Sequence, residues 1–91
     1  MKVTFRVHAV RRMFERGISE ADVHEALSAG EEIAVYPDDL PYPSRLLLRW
    51  RGGRPLHLVV AYNARDDENI IITVYEPDPA QWDDGFKRRK P

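Results

Sequence analysis

Residues 45–62 read Arg-Leu-Leu-Leu-Arg-Trp-Arg-Gly-Gly-Arg-Pro-Leu-His-Leu-Val-Val-Ala-Tyr, and this stretch decides the fold. Two runs rich in Leu, Val, Trp and Tyr flank Arg51-Gly52-Gly53-Arg54, whose paired glycines permit the positive φ of a tight hairpin turn. Strands are therefore expected over 45–51 and 55–62. On either side, Glu31–Tyr36 and Asn69–Glu76 share this composition and are bounded by turn residues, which predicts two further strands. Pro37, Pro41 and Pro43 stiffen the first connection by fixing φ and removing donors. Residues 63–68 form a polar hairpin loop.

Working toward the N-terminus, Phe5 to Arg16 reads as an amphipathic helix with Thr4 as its N-cap and Gly17 as its stop. Val10, Met13 and Phe14 fall on one side of it, and His8, Arg12, Glu15 and Arg16 on the other. Ser19-Glu20-Ala21-Asp22 opens a second helix with a start like a capping box, and Gly30 closes it. Its buried stripe is Ile18, Val23, Ala26 and Leu27. Toward the C-terminus, Asp78-Pro79 begins a short helical turn through Trp82. The expectation is one α+β domain over residues 1–86, with two N-terminal helices packed on one face of a four-stranded, mainly antiparallel sheet. A basic tail, 87–91, is expected to fray.

Alternation assigns the sheet faces. Ile33, Val35, Leu46, Leu48, Trp50, Leu56, Leu58, Val60, Ile70, Ile72 and Val74 share one parity and are expected to take the helices. The other parity gathers Arg49, Arg51, His57, Thr73 and Tyr75 among small aliphatic residues. So mixed a surface predicts that something covers it or binds there.

Ninety-one residues allow one core, burying about 60–70% of the unfolded surface. That leaves little margin, which a homodimer or another partner would widen. With no cysteine, disulfides, thiolate chemistry and cysteine-bound zinc are excluded. The expected setting is the cytoplasm, since neither an apolar leader nor a membrane-spanning run is present. A formal net charge of −1 conceals segregation: Lys2, Arg6, Arg11, Arg12 and Arg16 crowd the start, and Arg45, Arg49, Arg51, Arg54 and Arg65 fill an acid-free middle. Such blocks either build a basic face suited to phosphates or neutralise the acidic blocks between them.

The run His8-Ala9-Val10-Arg11-Arg12-Met13-Phe14-Glu15-Arg16-Gly17-Ile18 resembles a bacterial family, the domain of unknown function 4258. So do Tyr36-Pro37-Asp38-Asp39, Leu56-His57 and Ile72-Thr73-Val74-Tyr75-Glu76-Pro77. The order of helices and sheet is similar to that of RelE-type toxins, small ribonucleases that pair with antitoxins. The resemblance implies RNA as substrate and an antitoxin-like protein as partner, and it touches His8, Arg12, Arg16, His57, Thr73 and Tyr75.

Metal-independent RNA cleavage needs a base for the 2′-hydroxyl, an acid for the leaving oxygen and cations for the phosphorane. His57 could move the proton, Tyr75 could donate a hydrogen bond or stack, and Arg49 and Arg51 could hold phosphate. Against this stands a plain alternative, in which His57 is a hydrogen-bonded strand residue and Tyr75 part of a small second core. His8, Arg12 and Arg16 make a separate cationic stripe, for phosphate, for an acidic partner segment, or simply solvated. No metal-ligand spacing and no phosphate-cradling loop appears, so neither metal nor cofactor is expected. The sequence thus supports a toxin-like endoribonuclease. The competing class is a non-catalytic interaction module using the open sheet face or edge.

Overall fold

The computed structural model describes residues 1–91. The chain runs β1 (Lys2–Phe5), α1 (Val7–Arg16), α2 (Glu20–Ala29), β2 (Glu31–Tyr36), β3 (Ser44–Arg51), β4 (Arg54–Asn63) and β5 (Glu68–Tyr75). The strands form one mixed sheet in the order β1-β5-β4-β3-β2. Four antiparallel-type strands were expected and five are present, the extra one parallel to its neighbour. Lys2-Val3-Thr4-Phe5 pairs with Glu68 to Ile71, so Thr4 is a strand residue whose hydroxyl donates to Glu68 at 2.5 Å. It caps no helix; α1 opens at Arg6 with no side-chain cap. The alternation of Lys2-Val3-Thr4-Phe5 is a strand signal, but four residues running straight into a helix are readily absorbed into it.

Other local expectations match the structure. Ser19 and Asp22 complete the capping box reciprocally, with bonds of 3.0 and 2.9 Å. Gly17 ends α1 at φ 65°, and the Ile18 N–H returns to the Met13 carbonyl at 2.9 Å. The β3–β4 hairpin turns at Gly52, φ 59°.

Cross-strand partners share a face, which fixes the two sides of the sheet. Leu47 opposes Leu58 and Leu58 opposes Val74; these join Leu56, Val60 and Ile71 against Ala9, Met13, Ile18, Val23 and Ala26 of the helical layer. Leu46, Leu48 and Trp50 therefore lie on the far side, the reverse of the parity expectation. Two causes combine. Leu46, Leu47 and Leu48 are all buried, because both faces of the sheet are covered, so alternation carries no sign there. In β5 a bulge falls where Val59 pairs Thr73 and Val60 pairs Ile71, which shifts parity halfway along the strand.

Residues 77–91 cover the far face. The Gln81 and Trp82 N–H groups bond the Asp78 carbonyl at 2.9 and 3.1 Å, forming a single turn over the residues where a short helical turn was expected. The tail expected to fray folds back: Trp82 bridges to Arg89, Lys90 N–H bonds Gln81, and Lys87 pairs with Glu31 at 3.1 Å. No helix is long and apolar enough to cross a membrane.

Candidate functional site

His57 and Tyr75 are direct cross-strand partners on β4 and β5, as their shared parity implied. The surroundings differ from an open face. His57 is 0% exposed, and both ring nitrogens are engaged: Nε2 lies 2.8 Å from the Phe86 carbonyl and Nδ1 3.2 Å from the Tyr75 hydroxyl. A carbonyl only accepts, so Nε2 carries the proton, Nδ1 accepts, and the phenol donates. Burial holds the His57 pKa below its ordinary value; the Phe86 bond opposes that shift and nearby Arg89 adds to it. Burial likewise raises the Tyr75 phenol, keeping it protonated. Trp82 meets the imidazole edge-on at 4.5 Å, and the Arg89 guanidinium sits 4.9 Å from the Trp82 ring. Phe86 holds φ 57°, a left-handed conformation costly for a bulky residue, and in that conformation its carbonyl is placed on His57.

Arg49 and Arg51 are on the other side of the sheet. Their cross-strand partners are Leu56 and Arg54, and they tie α2 to the sheet. Arg49 bonds Glu25 at 3.1 Å; Arg51 bridges Asp22 at 3.1 Å and Glu76 at 3.4 Å, and Arg54 reaches Glu76 at 2.7 Å. The Asp22 carboxyl is held below its usual range, chiefly by the Ser19 N–H and further by Arg51. These arginines do not meet His57, and their charge is spent on carboxylates. Replacing Arg51 with alanine is expected to cost about 1–3 kcal/mol, below a fully buried pair because the three side chains keep some solvent contact. Arg51→Lys should recover under half, since one ammonium cannot fork between Asp22 and Glu76. Urea unfolding of the two variants measures both.

Thr73, opposite Val59, keeps the face of His57 and Tyr75, but its hydroxyl contacts His8: the His8 Nε2 and the Thr73 hydroxyl are 3.1 Å apart at an exposed position. Arg12 lies 4.0 Å from Glu15, and Arg16 is exposed at the end of α1. The stripe and the sealed histidine are thus two separate places.

Sequence reasoning missed what lies between them on α1. Val10 and Phe14, expected on the same side as Met13, are 51% and 90% exposed, and Val7 is 75% exposed. The helix buries only Ala9 and Met13. Val7, Val10 and Phe14 recur at i, i+3 and i+7, the spacing of a two-helix seam, with Arg6 and Arg11 at its flanks. The signal was present in that spacing, but Met13 and Phe14 are adjacent and only one can face the sheet.

These features define a small α+β domain: a mixed five-stranded sheet, two helices on one face and a C-terminal segment sealing the other. Residues 5–76 match the family model for the domain of unknown function 4258, and the chain belongs to that family. No curated protein and no solved structure matches it.

Proposed function

We propose that the chain is a protein-interaction domain whose α1 takes an acidic, amphipathic helix of a partner protein. The exposed Val7–Val10–Phe14 seam supports this reading. A phenylalanine nine-tenths exposed on a helix loses the hydrophobic stabilisation that burial against a partner would restore. The flanks supply the sign: Arg6 and Arg11 occupy the positions that select partner charge in paired helices, and they call for Glu or Asp opposite. A toxin-type ribonuclease that uses His57 needs an accessible ring nitrogen, and would first have to lift residues 77–91 off the sheet. The exposed seam needs no such rearrangement.

The test uses two synthetic helical peptides with leucines at the same spacing, one flanked by Glu and one by Lys. The Glu peptide should shift the backbone amides of residues 7–16 saturably, and the Lys peptide should not. Phe14→Asp should weaken binding by about 30-fold or more, in the range of a central aromatic anchor, without changing thermal stability by more than about 0.5 kcal/mol. Equal binding of both peptides, an unchanged Phe14→Asp affinity, or concentration-dependent dimerisation through the seam would overturn the proposal.

A further inference from the structure

The helices do not cover the whole of their face. Beyond Val60, the sheet surface toward the start of β3 and β5 is open, and two adjoining recesses of about 210 and about 420 Å³ lie there. They share Arg45 and Tyr62. Arg45 pairs across the strands with Val60, and Tyr62 with Asn69, so these side chains stand in two adjacent rows on one face.

Asn69 is the unusual group. It is 5% exposed, yet its amide makes no hydrogen bond within the chain. Asn63, buried alike at 6%, shows how the fold treats such a group elsewhere: its amide donates to Tyr42 and Asp66 at 3.2 and 3.1 Å, and its oxygen accepts from Arg65 at 3.2 Å. The buried side-chain nitrogens without a partner are Arg49 Nε and Arg51 Nε; the Asn69 amide instead opens on the recess, where a ligand can pair with it. Asn69 lines the larger recess. Beside it stands the Tyr62 ring, its hydroxyl anchored to Asp67 at 2.8 Å, and then Arg45, which makes no hydrogen bond and only a 3.6 Å ion pair with Glu32.

We infer that this recess binds a nucleotide. Tyr62 offers a face for the base, the Asn69 amide pairs with the base edge as both donor and acceptor, and Arg45 takes the phosphate. The 420 Å³ volume is within the range of about 300–1,000 Å³ typical of small-molecule sites. Glu32 sits against Arg45, so the phosphate must displace a carboxylate from the guanidinium. The ligand is either a free mononucleotide or one unit of a single strand, and the same three groups recognise both. The site is on the sheet and stands apart from the α1 seam.

The test titrates the full chain with adenosine, 5′-AMP, inorganic phosphate and a six-nucleotide oligoadenylate, following backbone amides by NMR. AMP should shift residues 45, 62 and 69 saturably, and Arg45→Gln should weaken AMP about tenfold while sparing adenosine. Tyr62→Leu should weaken AMP and adenosine alike. Much tighter, salt-sensitive binding of the oligonucleotide assigns the single strand as source, whereas affinity equal to AMP assigns the free nucleotide. The inference is overturned if neither AMP nor the oligonucleotide shifts these residues. Binding of phosphate as strong as that of AMP would overturn it too, as would AMP affinity unchanged in Arg45→Gln.

Discussion

Trp82→Ala is expected to lower the free energy of unfolding by about 3–5 kcal/mol, a large share of what a chain this size has. The indole is 7% exposed, stands edge-on to His57 at 4.5 Å and lies under the Arg89 cation. Removing it takes away the main apolar anchor of residues 77–91. The secondary damage should be larger than the cavity, because the Phe86 carbonyl then loses its place on His57. Urea unfolding gives the magnitude, and exchange of the His57 ring proton reports whether the segment has lifted. A loss under about 1 kcal/mol would show that the segment rests on the sheet without holding it.

His57→Ala carries the second large effect, about 3 kcal/mol, from a cavity plus a buried carbonyl and hydroxyl left without partners. His57→Gln, whose amide can still donate to Phe86, should cost less, and the pair separates packing from hydrogen bonding. The wild-type chain should also show a pH step that both variants lack. The folded pKa of His57 lies below the ordinary 6.5 of the unfolded chain. Unfolded molecules therefore take up the proton first, so the stabilisation is complete above pH 6.5 and is lost as pH falls toward the folded value. A urea midpoint that stays flat in wild type through the histidine range would contradict this account. Since Trp82 and His57 touch, their losses should fall short of additive in the double variant.

Much of this architecture was legible in the residues. The Gly52-Gly53 hairpin, the Ser19–Asp22 cap and the pairing of His57 with Tyr75 all follow from local chemistry, and the last survives because both residues lie on one side of the bulge. What failed had physical causes. Three consecutive buried leucines give no parity, so Arg49 and Arg51 were placed beside His57 when they face α2. Thr73 keeps the face of Tyr75, but its hydroxyl meets His8, a contact that strand alternation does not record. The cover over His57 comes from residues 77–91, where only Trp82 and Phe86 among turn-forming and charged neighbours hinted at packing. Helical spacing puts Phe14 on one side of α1 with Val10 and Met13, yet only Met13 of the three is buried; and the recess at Asn69 depends on where the helices stop, which no local pattern records.

The pairing of β1 with β5 also bears on how the molecule assembles. Lys2 to Phe5 find their only strand partner at Glu68 to Ile71, so the first strand of the chain cannot dock until the last has formed. The β3–β4 hairpin closes over a short loop and can form early. β1 must wait for a contact some 66 positions away (Lys2 to Glu68), with α1 held only loosely in the meantime. During synthesis, then, the amino-terminal strand would emerge first and be fastened nearly last, leaving its edge unpaired for most of that interval.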